Sequence, residues 1–192
     1  MRRQVIPLTV ALAIQFFMSA QAFGQEKAKR DTYSATWLIV GGGAAASSMP
    51  INIYVDRYNT DDEMKKYREI LLENGQVALQ KALYKEEVGQ YAPMGRVGTP
   101  LAIARRLQQG DKTMIRVLTV RDQSIAELRN SGLSVNYPYM ILEFLLDKDG
   151  KGNGTAIGAG KIKFDKKKKT YEIESFQQGA LRNRLVNVRQ EK

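Results

Sequence analysis

Hydrophobic and polar residues alternate most cleanly over Ile51-Asn52-Ile53-Tyr54-Val55-Asp56, the period-two pattern of a strand with one buried face. Immediately downstream, Thr60-Asp61-Asp62-Glu63 has the spacing of a capping box, with acids crowded into what would be the first turn of a helix. Met64, Tyr67, Ile70 and Leu71 then recur at helical spacing, and Asn74-Gly75 predicts the end of that helix. A second short helix is expected from about 76 to 84, with Val77, Leu79, Ala82 and Leu83 on its apolar face. Beyond it the pattern returns to strands. Thr99 to Leu107 and Thr113 to Val120 are joined by a turn at Gly110-Asp111. Tyr139 to Leu146 is almost continuously apolar and so belongs in the middle of a sheet. Asp147 to Gly154 reads as a turn, followed by strands at Thr155–Phe164, Tyr171–Ser175 and Leu185–Val188.

Earlier in the chain, Tyr33 to Val40 is expected as a strand anchored by Trp37, and Gly41 to Ser48 reads as a small-residue loop closed by Pro50. A further capping box, Ser124-Ile125-Ala126-Glu127, predicts one or two helical turns before Gly132. The last three strands are joined by short turns and are expected to form an antiparallel meander. Gly152, Gly154, Gly158 and Gly160 permit sharp bending or the close approach of another element. The expected fold class is therefore α+β: a strongly bent, mainly antiparallel β-sheet, open or barrel-like, packed on a short helical pair.

The first residues carry a different signal. Met1-Arg2-Arg3, an apolar run from Val5 to Ala20 and the exit Ser19-Ala20-Gln21-Ala22 form the three parts of a secretory signal peptide. Cleavage is expected after Ala22, with Gly24 as the alternative. The apolar run is shorter than the roughly 20 residues a spanning helix requires. The organisation read from the sequence is a signal peptide at 1–22, a polar spacer at 23–32 and one domain at 33–192. Export to the periplasm or the exterior follows, with no integral membrane segment after cleavage.

Charge and composition narrow the chemistry. The chain has 192 residues, 30 Lys and Arg against 20 Asp and Glu, and a formal net charge of +10, of which Arg2 and Arg3 leave with the leader. A basic surface favours anionic partners. The basic residues Arg105, Arg106, Arg116 and the run Lys166-Lys167-Lys168-Lys169 are a candidate anion-binding set if they converge, and otherwise charges that protect turns and edge strands. No module signature points to sequence-specific nucleic-acid binding. The chain has no Cys and no His, which excludes disulfides, a lipid-modified Cys, a Ser-His-Asp triad, a Cys nucleophile and His or Cys metal sites. No cofactor or metal is expected.

Three motifs imitate sites. Trp37-Leu-Ile-Val-Gly41-Gly-Gly43-Ala-Ala-Ala46 has the glycines of a dinucleotide loop, but only Ser47, Ser48, Met49 and Pro50 separate it from the strand at Ile51. A βαβ crossover needs at least about 10–12 residues. Asp147-Lys-Asp149-Gly-Lys151 begins like a calcium loop, but Lys151 and Gly158 occupy two ligand positions, and a glycine-rich hairpin explains the same residues. Glu143, within an apolar strand, is a candidate general acid; otherwise it points to solvent or pairs with an Arg on the adjacent strand. The aromatics from Trp37 to Phe164 line a pocket or form ordinary core.

Val55-Asp56-Arg57-Tyr58, Thr60-Asp-x-Glu63, and later Asp147-Lys-x-Gly150-Lys-Gly152-x-Gly154 together resemble a group of small exported bacterial proteins of uncharacterised function. The resemblance implies a signal peptide and a single domain, and brings no catalytic residues. The function expected from the sequence is a non-enzymatic exported domain binding a small apolar ligand or an anionic envelope component. The alternatives are a structural or protein-interaction domain, or a hydrolase using carboxylates such as Glu143 or Asp56.

Overall fold

The computed structural model describes residues 30–39, 47–122, 136–165, 170–176 and 183–191. The leader at 1–22, most of the spacer, the glycine-rich run at 41–46, the Ser124–Glu127 motif and Lys166–Lys169 lie outside these residues.

Among the described residues, ten strands and one helix follow one another. They are β1 (Asp31–Ile39), β2 (Ser47–Val55), α1 (Asp61–Leu83), β3 (Gly89–Pro93), β4 (Thr99–Leu101), β5 (Ile103–Gln109), β6 (Lys112–Val120), β7 (Tyr139–Leu146), β8 (Lys151–Asp165), β9 (Thr170–Ser175) and β10 (Asn183–Glu191). The strand order is β4-β3-β2-β1-β10-β8-β7-β6-β5, with β9 added to β8, and all pairs are antiparallel; β10 therefore leaves the expected meander and inserts between β1 and β8 instead of pairing with β9.

The two ends of that order are the two halves of one bent strand. Only Ala102 separates β4 from β5. Its amide donates to Leu118 O on β6 at 2.8 Å, while Leu101 O on β4 accepts the Val88 amide at 2.8 Å. The sheet thus rolls into a nearly closed, barrel-like form, and the seam opposite is the β1–β10 pair, Thr32 against Glu191 through Leu38 against Arg184. A bulge in β10 falls at Asn187, whose φ of 54° is left-handed and which is a residue type that tolerates that conformation.

Alternation along each strand sorts the side chains into two apolar clusters. Tyr33, Trp37, Ile51, Ile53, Val55, Tyr91, Leu101, Ala104, Ile115, Val117, Leu142, Phe144 and Leu185 fill the concave interior. Tyr33 and Phe144 meet edge to face at 5.2 Å, and Trp37 and Tyr91 at 6.2 Å. Ile103, Leu118, Val120, Tyr139 and Ile141 point the other way and pack beneath Tyr67, Leu79 and Leu83 of α1. The helix therefore lies on the outside of the sheet.

The helix begins as its sequence predicts. Thr60 Oγ1 accepts the Glu63 amide at 3.2 Å, and Glu63 Oε2 accepts the Thr60 amide at 2.7 Å. The expected helical pair is instead one element, Asp61–Leu83, kinked where Gly75 takes φ 77° and ψ −173°. A positive φ needs no chain break when the residue is glycine. The kink resets the helical phase, which leaves Val77 76% exposed where it was expected on the apolar face.

Other boundaries also differ. Asp31 and Thr32, assigned to the spacer, open β1, and Arg30 bonds Asp56 across from it at 2.6 Å. Ser47 to Pro50, expected in a loop, form the first half of β2. The turn after β7 is Asp147–Gly150, and Lys151–Gly154 already belong to β8. There the glycines permit close approach: a Cβ at Gly152 would lie 1.8 Å from Leu145 O, and one at Gly154 2.1 Å from Glu143 O.

Candidate functional site

Between α1 and the outer face of the sheet runs a groove of about 330 Å³. Met64, Leu71 and Leu79 of the helix form one wall, while Leu118, Ile141 and Ile173 of the strands are among the residues of the other. Tyr67, also in the lining, has its hydroxyl pushed up to about 12 by burial, reinforced by the neighbouring Glu86 carboxylate. The groove is apolar because outward-facing positions on β5 to β9 remain hydrophobic beyond the area that the helix covers. By contrast, the barrel interior is occupied by aromatic and aliphatic side chains.

Charged side chains also line this groove. Arg68, Arg105, Arg116 and Asp61 are part of its lining. Arg105 and Arg116 sit directly opposite each other on β5 and β6, and Glu143 is opposite Arg116 on β7. Arg116 Nε donates to Glu143 Oε2 at 2.6 Å. Arg105 pairs with Asp61 and donates to Asn59 O at 2.6 Å. The Arg105 side chain is only 20% exposed, whereas its Asp61 partner is 89% exposed. Arg68 Nε donates to Met64 O at 3.3 Å.

Arg106 does not share this face. Adjacent strand residues point to opposite sides, and its guanidinium enters the barrel end, 5.0 Å above the Tyr58 ring. There it donates to Tyr33 Oη at 3.1 Å and pairs with Asp31 at 3.2 Å. The Tyr33 and Tyr58 hydroxyls are 2.8 Å apart, and Tyr58 donates to Asp31 Oδ2 at 2.8 Å. Burial raises the Tyr58 hydroxyl far above its ordinary range, and its bonds to Tyr33 and Asp31 add to the rise. A polar cleft of about 550 Å³ adjoins Arg106, between the β5–β6 and β7–β8 hairpin tips. Of the candidate anion-binding set, the structure brings Arg105 and Arg116 together and separates Arg106 from them.

No family model, curated protein or solved structure matches this chain.

Two of the three motifs that imitate sites have plain structural roles, and the strands flanking the third do not fit its reading. The strands flanking the glycine-rich run, β1 and β2, are antiparallel neighbours, Ile39 against Ser47, so no parallel βαβ unit is present there. Asp147 Oδ1 accepts the amides of Asp149 and Lys151, both at 2.9 Å, and thereby closes the β7–β8 turn. Among the described residues no group of three or more acidic side chains is placed to hold a metal ion. Glu143 is the partner of an Arg on the adjacent strand. Asp56 is bonded by Arg30. Trp37 and Phe144 are core, while Tyr67 lines the groove.

Two residues went unread in the sequence. Asn59, 3% exposed, clamps the start of α1 to β5: its backbone N–H donates to Ala104 O at 2.9 Å and its side-chain Oδ1 accepts the Ala104 backbone N–H at 2.8 Å. This clamp fixes the carbonyl that holds Arg105. Gln76, just past the kink, donates to the buried Tyr139 hydroxyl at 2.7 Å and ties the second half of the helix to β7. A polar residue beside a cap or a kink was the available signal for both.

Proposed function

We propose that this is an exported, non-catalytic binding domain whose groove between α1 and the outer face of β5–β9 takes up a small apolar molecule. The observation that carries the reading is the groove itself: about 330 Å³, walled by Met64, Leu71, Leu79, Leu118, Ile141 and Ile173. That volume is at the lower end of small-molecule sites, which are concave, mostly apolar and furnished with a few polar groups. Uptake of an apolar molecule there removes hydrocarbon surface from water, at about 25 cal/mol per Å². Among the described residues no helix is long and apolar enough to cross a membrane. Export rests on the leader pattern at Met1–Ala22.

The test is titration of the protein with an uncharged apolar fluorophore, N-phenyl-1-naphthylamine. The expected result is saturable binding at one site that is lost in Leu107→Trp, which fills the groove from its β5 wall. Non-saturable binding, or binding indifferent to that substitution while the fold is intact, rejects the reading. N-terminal sequencing of the exported protein should begin at Phe23, and an intact Met1 would reject export by cleavage.

A further inference from the structure

Charges across the outer face of the sheet follow the order Asp61, Arg105, Arg116, Glu143, with the two cations side by side in the middle. Like charges directly opposite on neighbouring strands are unfavourable. The two carboxylates compensate them only from the outside, and Asp61 does so from an almost fully exposed position, where an ion pair contributes little. Each guanidinium has five N–H donors in a planar fork. Asn59 O and Asp61 on Arg105, and Glu143 and the Met114 sulfur on Arg116, leave donors over on both. Arg68 on α1 adds a third cation to the lining. The apolar walls start beside these groups.

Resting on the groove reading above, we propose that the ligand is a single-chain amphiphile with a carboxylate head, its chain between α1 and the sheet and its head between Arg105 and Arg116. A carboxylate matches the guanidinium fork in two parallel hydrogen bonds, and it supplies the anion missing from the centre of the row. A neutral chain of equal length satisfies the walls and leaves the two arginines facing each other. The head thus confers selectivity and the chain confers uptake.

The experiment is isothermal titration of the full-length mature chain with dodecanoate and with dodecan-1-ol, both below their aggregation concentrations, in low and high salt. Dodecanoate is expected to bind at least about tenfold more tightly, with a preference that shrinks as salt rises. In Arg105→Gln/Arg116→Gln the two ligands should bind within about threefold of each other. Arg116→Lys, which keeps the charge and loses the fork, should give an intermediate preference. If the double variant does not fold by circular dichroism, the wild-type comparison and its salt series decide alone. Equal binding of acid and alcohol by the wild type overturns the carboxylate assignment and leaves the apolar groove standing. Binding of neither overturns both.

Discussion

Phe144→Ala tests whether the barrel interior is the structural core, as distinct from the groove outside it. Phe144 is 1% exposed and its ring meets Tyr33 edge to face at 5.2 Å. Deletion of a buried phenyl group costs about 3–5 kcal/mol, the sum of lost transfer energy and the void left behind. The upper part of that range applies when neighbours cannot collapse into the space. Tyr33 cannot do so freely, because its hydroxyl is held by Tyr58 at 2.8 Å and by Arg106 at 3.1 Å. The lost edge-to-face pair adds about 0.5–1.5 kcal/mol. A loss near 4 kcal/mol is a large share of the roughly 5–15 kcal/mol that stabilises a domain. In urea, with a slope of about 2 kcal/mol per molar, the midpoint should fall by about 2 M. The melting temperature should fall by about 8–16 °C. A loss below about 1.5 kcal/mol at unchanged slope would mean that the interior repacks easily, and would refute the assignment of Phe144 to a tightly filled core.

Three further outcomes are expected. Thr60→Ala removes the hydroxyl that accepts the Glu63 amide and should cost about 1 kcal/mol in urea unfolding; no change would mean that the cap is idle. Gly154→Ala places a Cβ 2.1 Å from Glu143 O and 2.6 Å from the Phe144 Cβ, so β7 and β8 must separate; a loss of about 1–3 kcal/mol or more is expected by thermal unfolding, and a neutral effect would show that the strands are not so close. The Tyr67 and Tyr91 hydroxyls are raised from 10.0 to about 12, chiefly by burial. Folding therefore favours their neutral forms: this stabilisation is complete below pH 10 and is lost as the pH rises towards 12, because the unfolded chain ionises first. Urea midpoints measured alongside absorbance at 295 nm should show it, and full tyrosine ionisation near pH 10 in a still-folded protein would contradict it.

Legibility in the sequence followed the range of the interaction. The capping box at Thr60–Glu63 and the alternation of Ile51, Ile53 and Val55 are set by neighbours in the chain, and both stand in the structure. The almost continuously apolar run at Tyr139–Leu146 predicts a central strand, and β7 has partners on both sides. The kink at Gly75 was read as a helix end because local propensity registers the glycine but not the Tyr139 hydroxyl that anchors Gln76 beyond it. Gly152 and Gly154 lie in β8 and not in the expected turn, but the close approach that their missing side chains predict is present, with the backbone of β7 as the neighbour. β3, only five residues between a glycine and a proline, carries too little pattern to be seen. The opposite orientations of Arg105 and Arg106 were available from strand alternation alone. The groove was not, because its walls come from α1 and from strands up to β9, whose register only the folded sheet defines.

The seam between β1 and β10 also places a clock in the chain. Thr32 must wait for Glu191, and Leu38 for Arg184. At about 5–20 residues per second, ribosomal synthesis separates the two strands by about 10–30 s. Until β10 emerges, β1 lacks its second neighbour, and so does β8 once it has itself been made. The last nine-residue strand converts an open ribbon into a closed wall, so the chain acquires its finished form only as a whole.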